Sequence, residues 1–173
     1  MLHNLTFILG GASSGKSVFA EKLVVASARP KVYLATAQAF DDEMTAKIAA
    51  HRAQRGSDWL TEEVPLEIAA VLARQPSGHV VLRDCATLWL SNVMLAGRDM
   101  AAETDALLTA LAHCPCPVVV VSNEVGMGVV PDNALARQFR SAQGRINARL
   151  AAQADTAIAV MAGLPIVLKG TLP

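Results

Sequence analysis

Residues Gly10-Gly11-Ala12-Ser13-Ser14-Gly15-Lys16-Ser17 fit the pattern G-x-x-x-x-G-K-[ST], and few eight-residue stretches constrain a fold as tightly. The pattern works as a turn between a strand and a helix. Its glycines let successive N–H groups converge on phosphate oxygens, its lysine adds a point charge, and its final hydroxyl can reach Mg²⁺. The flanks agree: Leu5-Thr6-Phe7-Ile8-Leu9 is a short apolar run with strand character, and Val18 to Ala28 reads as a helix. Gly10, Gly11, Ala12, Ser13, Ser14, Gly15, Lys16 and Ser17 are therefore the expected nucleotide contacts, with Lys16 catalytic and Ser17 a metal ligand.

The rest of the chain alternates strand and helix signals. Strand candidates are Lys31 to Thr36, His79 to Asp84, Pro117 to Ser122, Thr156 to Met161 and Ile166 to Leu168, several of them apolar throughout as in strands covered on both faces. Helical patterns fall at about Asp41 to Arg55, Leu66 to Arg74, Ala86 to Ala96, Ala101 to Ala112 and Asn133 to Ala152. Such alternation predicts an α/β chain. The expected architecture is a single-domain P-loop nucleotide-binding fold over residues 1–173, with a mostly parallel central sheet flanked by helices and the ligand at the carboxyl ends of the strands. Hydrophobic residues are 53% of the 173 but aromatics only 4%, so Val, Leu, Ile and Ala must build the core.

Lys and Arg together number 15, as do Asp and Glu. That balance gives no basic field for nucleic acid and leaves a small molecule as the natural substrate. The early apolar run lacks a basic leader and a cleavage site, and the later stretch Ala157 to Leu168 is broken by Gly163 and Pro165, so neither a signal peptide nor a membrane span is expected. Cys85, Cys114 and Cys116 form no C-x-x-C pair, which suits reduced thiols in a cytoplasmic protein; His113-Cys114-Pro115-Cys116 reads as a loop with buried thiols rather than a metal site.

Two further segments carry chemistry. Val80-Val81-Leu82-Arg83-Asp84 ends an apolar run with an acid, which suits a carboxylate holding Mg²⁺ beside Ser17; the alternative role for Asp84 is as cap of the following helix, and Glu124 is the next candidate carboxylate. On a helix from Asp41 to Arg55, Lys47, His51 and Arg55 share a face at i, i+4 and i+8, with Arg52 beside them. Crowded cations favour a neutral imidazole whose lone pair can attack phosphorus, while arginines hold phosphate oxygens. A solvated helix histidine remains the alternative for His51.

With these segments the chain resembles the bifunctional adenosylcobinamide kinase and adenosylcobinamide-phosphate guanylyltransferase family of cobalamin biosynthesis. The resemblance runs through the phosphate loop, Tyr33 to Ala37, Asp41 to Met44, Lys47 to Arg52, Trp59 to Glu63, Asp84 to Asn92 and Ser122 to Pro131. It implies phosphorylation of adenosylcobinamide by a nucleoside triphosphate, then transfer of GMP from GTP through a guanylylated His51 to adenosylcobinamide phosphate. It further implies that Ala35, Thr36, Ala37, Arg52, Ala53, Gln54, Arg55 and Glu63 join the GTP pocket, that ATP or GTP serves as phosphoryl donor with Mg²⁺, and that the protein is a homo-oligomer, a trimer being the form known among similar proteins. Ser141 stands where the family pattern has an acid, a change expected to alter an ion pair with Arg137 or Arg140. Two other readings stay open on the residues: a different P-loop small-molecule kinase, and a nucleotide-dependent switch whose Val125 to Val130 loop meets a protein partner.

Overall fold

A computed structural model describes residues 2–38, 46, 56 and 58–172. The elements in order are β1 (Leu5–Gly10), α1 (Lys16–Ala26), β2 (Lys31–Ala35), β3 (Trp59–Glu63), α2 (Ile68–Ala73), β4 (Val80–Asp84), α3 (Ala86–Leu95), α4 (Met100–Ala112), β5 (Val118–Asn123), α5 (Ala134–Gln153), β6 (Thr156–Met161) and β7 (Leu164–Lys169). They form one seven-stranded sheet in the order β3-β2-β4-β5-β1-β6-β7. Every pairing is parallel except that of β7 with β6.

The central strands are Val-rich because both of their faces are covered. In β5, Val118 to Val121 are at most 1% exposed, and β-branched side chains pack well on a pleated surface with no water on either side. Leu5, Phe7, Val81, Val118 and Val120 point to the face carrying α2 to α5 and pack with Ile68, Leu72, Trp89, Val93, Leu107, Ile146 and Leu150. Ile8, Leu82, Val119, Val121 and Ile158 point to the other face and meet Ala20 and Val24 of α1. The alternation along each strand thus sorts residues into two cores.

That sorting positions the site. Strands β1 and β5 are neighbours, yet α1 follows β1 on one face and α5 follows β5 on the other, so the two connections part at the carboxyl end of the sheet and leave a crevice there. The expectation of fully covered strands does not hold at the far edge. All six residues of β7 are exposed, because β7 pairs on one side only and no described helix lies over it; Pro165, which a central strand would reject, is tolerated for the same reason. Strand β3 was not among the expected strands. The expected helix Asp41 to Arg55 lies outside the described residues apart from Ala46.

Candidate active site

The phosphate loop spans the end of β1 and the start of α1. Gly10 stands in register with Asn123 of β5 and Val160 of β6, and a Cβ there would lie 2.4 Å from Ser14 Oγ and 2.7 Å from the Val160 carbonyl oxygen. No side chain fits. Gly15, at φ +90°, is the residue before helix α1, a left-handed conformation that L side chains adopt at a cost of about 1–2 kcal/mol. The turn joining β6 and β7 supports the loop from the side: Gly163 N–H donates to the Ser14 carbonyl at 2.8 Å. Lys16 Nζ donates to the Gly11 carbonyl at 3.0 Å, which folds the ammonium across the loop.

Helix α1 begins without a side-chain cap and without an acid in its first turn. Its free N–H groups and the positive end of its dipole therefore face the loop unopposed, the arrangement that holds anionic phosphate. Ser17 sits in that first turn, half-buried, while Ala12 and Ser13 are exposed at the loop tip.

Asp84 ends β4, opposite Ala35 of β2 and Val121 of β5. It is not the cap of α3. That role belongs to Cys85, whose sulfur accepts from Leu88 N–H at 3.4 Å, so the Asp84 carboxylate, at the carboxyl edge of the sheet, is not spent on the helix cap. Ala35 also faces Glu63 across the β2–β3 pair. Ala35, Glu63 and Asp84 hence share one row on the same edge as the phosphate loop, but not the same place along it. Asp84 lies two strands from β1 and Glu63 four, about 10 and about 19 Å at the usual strand spacing. Glu63 is exposed and Ala37 half-buried.

Thr36 is placed differently from an open pocket residue. It is fully buried; its hydroxyl donates to the Cys85 carbonyl and accepts from Cys85 N–H, both at 2.8 Å, and its own carbonyl accepts from Asn92 Nδ2 at 2.8 Å. The residue fastens β2 to the β4–α3 corner. Glu124 is likewise engaged, its carboxylate accepting from Gly126 N–H. His51, Arg52, Ala53, Gln54 and Arg55 lie outside the described residues.

Several supporting residues escaped the sequence reading. Ser122 Oγ donates to Asn147 Oδ1 at 2.6 Å, Gln143 Nε2 donates to both, and Asn147 Nδ2 reaches the Asn123 carbonyl at 3.0 Å. Thr87 Oγ1 accepts from Asn123 N–H at 2.8 Å. This buried network fixes the carboxyl end of β5 against α3 and α5. Its signal in the sequence is the pair Gln143 and Asn147, polar at i and i+4 on the apolar face of α5. Arg137 and Arg140 form no described ion pair. Arg137 grips the Pro131 and Asp132 carbonyls at 3.0 and 2.7 Å, and Arg140 grips those of Gly126 and Gly128. Ser141 is exposed, so the expected effect on an ion pair gives way to a different device: both arginines hold a loop through its backbone.

A glycine loop between the first strand and its helix, with a carboxylate at the tip of a strand two places away, defines a P-loop nucleotide-binding enzyme of the α/β class. Residues 6–168 match the family described as cobinamide kinase / cobinamide phosphate guanyltransferase, and the chain belongs to that family; it is a transferase. It is 43% identical over 166 residues to the bifunctional adenosylcobalamin biosynthesis protein CobP of Pseudomonas aeruginosa, covering 94% of this chain and 96% of that protein. It is 37% identical over 181 residues to the bifunctional adenosylcobalamin biosynthesis protein CobU of Salmonella typhimurium, covering 95% and 99%. In fold alone it is similar to a solved structure from Pyrococcus horikoshii OT3, with a TM-score of 0.57 at 9% identity over 97% of this chain and 87% of that one.

Proposed function

We propose that residues 1–173 form one domain that carries out both family reactions on adenosylcobinamide, with ATP or GTP as phosphoryl donor and GTP as guanylyl donor. The observation that carries this reading is the loop and helix start at Gly10 to Ser17, open to an anion and crossed by Lys16. In the first step the acceptor hydroxyl attacks the γ-phosphorus, the bond to the β-phosphate oxygen breaks, and the hydroxyl proton passes to solvent. Loop amides, the α1 N-terminus and Lys16 stabilise the charge on the transferring and leaving groups. The Ser17 hydroxyl and the Asp84 carboxylate are hard oxygen donors of the kind that suits Mg²⁺, which keeps most of its waters and takes one or two protein oxygens plus phosphate; they would hold it, and it would neutralise phosphate charge.

In the second step His51 attacks the α-phosphorus of GTP and pyrophosphate leaves. The phosphate oxygen of adenosylcobinamide phosphate then attacks the phosphoramidate, giving adenosylcobinamide-GDP and freeing the imidazole. Arg52 and Arg55 hold the phosphates, while Ala35, Ala37 and Glu63 line the guanine side, with Glu63 accepting from the paired ring N–H and amino donors. Ala53 and Gln54 join the pocket by likeness to the family, and Thr36 supports it from within by fastening β2 to the β4–α3 corner. The exposed apolar strand β7 supports a homo-oligomer, a trimer by likeness to similar proteins. The cytoplasm is the expected location; no described helix is long and apolar enough to cross a membrane.

The test is covalent. Incubation with GTP labelled at the α-phosphate leaves label that survives base and is lost in acid, and γ-labelled GTP leaves none. His51→Ala abolishes the adduct while sparing part of the kinase activity. Normal labelling of that variant refutes the nucleophile, and a wild type that never labels leaves a kinase alone.

A further inference from the structure

We propose that Cys114 and Cys116, joined through Pro115 where α4 gives way to β5, form a dithiol that a peroxide closes reversibly to an internal disulfide. The chain bends at Pro115 and Cys116, and the two sulfurs lie 3.7 Å apart. A disulfide needs about 2.05 Å, so side-chain rotation has about 1.7 Å to make up. The bend hangs between two fixed ends. On one flank His113 N–H donates to the Thr109 and Ala110 carbonyls at 3.3 Å; on the other the Pro117 carbonyl accepts from Val81 N–H and Val118 N–H donates to the Asn4 carbonyl, both at 2.9 Å. Ends fixed in this way keep the thiols neighbours, the proximity that makes an intramolecular step fast.

The pair stands apart from the other reactive groups. Cys85 follows the carboxyl end of β4 whereas the pair precedes the amino end of β5, so the six-residue strand separates them by about 20 Å at the usual rise. Among the described residues no third His, Cys, Asp or Glu gathers with the pair to complete a metal site, which leaves oxidation as the chemistry the two sulfurs share. The ring spans a single intervening residue, and strained disulfides are the labile, reversible ones.

The two sulfurs take different roles. Cys114 is half-buried, within reach of a small oxidant, while Cys116 is 5% exposed and belongs to the core. The hydrogen bond from the Cys116 thiol holds Cys114 down to about 7 against the opposing pull of burial. The same bond pushes Cys116 up, with burial adding to it and Arg29 opposing. Cys114 is therefore the nucleophile and Cys116 the resolving thiol. The Cys114 thiolate attacks one peroxide oxygen, the O–O bond breaks, and the departing hydroxide takes a proton to leave as water. Cys116 then attacks the sulfenic sulfur, its proton joins the departing hydroxyl, and a second water leaves; two thiols and one peroxide give one disulfide and two waters.

The test starts from the reduced full chain. Stoichiometric hydrogen peroxide, an iodoacetamide quench under denaturing conditions and intact-mass measurement should give a protein that is alkylated at Cys85 alone and otherwise lighter by two hydrogens. Trypsin cuts after Arg83, Arg98 and Arg137, so Cys114 and Cys116 fall in one peptide and Cys85 in another; the missing hydrogens should map to residues 99–137, and dithiothreitol should restore them. Cys116→Ser should stop at a sulfenic acid on Cys114 that dimedone traps, and Cys114→Ser should lose thiol about tenfold more slowly than the wild type. Phenylarsine oxide, which bridges two neighbouring thiols with loss of water, should protect both from alkylation in the unaltered chain, a readout independent of how either variant folds. Full alkylation of Cys114 and Cys116 after peroxide overturns the proposal. So does a bond formed between two chains, a pair that phenylarsine oxide leaves open to alkylation, or oxidation of Cys114→Ser at the wild-type rate.

Discussion

Replacing Arg83 by Met should make the protein more stable. Arg83 is a charged residue in the fourth position of β4, fully buried on the face that carries α2 to α5, and none of its three guanidinium nitrogens has a hydrogen-bond partner among the described residues. Its compensation is the Trp89 ring, 5.0 Å from the guanidinium carbon. Burial pulls its pKa down from 12.5 to about 10, against the smaller opposing pull of Cys85 and Asp84. A shift of that size corresponds to about 3 kcal/mol disfavouring the charged form, of which the desolvated cation–π contact offsets about 2 kcal/mol. Methionine keeps the unbranched length, fills the same slot and removes the charge, so a gain of about 1–3 kcal/mol is expected, in line with other exchanges of buried charge for apolar volume. For a chain of this length that is a rise in Tm of roughly 3–8 °C. The pH dependence has a definite sign. Because the folded pKa lies below the unfolded one, the penalty is complete below about pH 10 and falls as pH rises toward 12.5, so the gap between variant and wild type narrows over that window. Calorimetry at pH 8 and urea melts at pH 8 and 10.5 measure both. A lower Tm in Arg83→Met, or a gap that widens with pH, refutes the reasoning.

Other positions give sharp readouts. Gly10→Ala forces a Cβ against the Val160 carbonyl, 2.7 Å away, and should cost about 1–3 kcal/mol by urea melt together with most nucleotide affinity; a melt within 0.5 kcal/mol of wild type, roughly the scatter of neutral surface changes, would show that the loop gives way easily. Asp84→Asn should raise the Mg²⁺ concentration needed for half-maximal turnover about tenfold or more with little change in Tm, and an unchanged magnesium titration excludes this carboxylate. Cys114 and Cys116 lie with sulfurs 3.7 Å apart, and a hydrogen bond from the Cys116 thiol holds Cys114 down to about 7 whereas burial pushes Cys85 up to about 11. Iodoacetamide mapping should therefore show Cys114 labelling rise through pH 7 and level off by about pH 8, with Cys85 unlabelled at pH 9; a Cys114 rate still climbing tenfold per pH unit at 9 refutes the assignment.

How much of this fold was legible followed from how many faces each element buries. The strands β1, β4, β5 and β6, covered on both faces, announce themselves as apolar runs, and all four were expected within about one residue of their observed bounds. Strand β3 did not: Trp59-Leu60-Thr61-Glu62-Glu63 lies at the edge of the sheet, with Trp59 buried and Leu60 and Glu63 exposed, so its composition is that of a surface. At the other edge Pro165 shortened the reading of β7 to Ile166 to Leu168, because a proline costs a ladder hydrogen bond only where a neighbour exists to receive it.

The site divides along the same physical line. The phosphate loop was readable in full because its function is performed by backbone geometry, and backbone geometry selects glycine by identity. Asp84 was readable because an acid at the end of an apolar strand has few structural uses, and the structure removes one of them by giving the α3 cap to Cys85. What stayed hidden were polar residues whose partners lie far along the chain: Thr36 with the Cys85 peptide, Asn92 with Thr36 and Pro65, and Ser122 with Gln143 and Asn147. In the sequence each looks like an ordinary pocket or surface residue. Once folded, each is a buried group whose hydrogen bonds must close, and because leaving such a group unpaired costs about 1–3 kcal/mol, the network holds the ends of β2, β4 and β5 in fixed register. That register places Ala35, Glu63 and Asp84 in one row on the edge that carries the phosphate loop, so the unreadable polar residues set the spacing on which the readable ones depend.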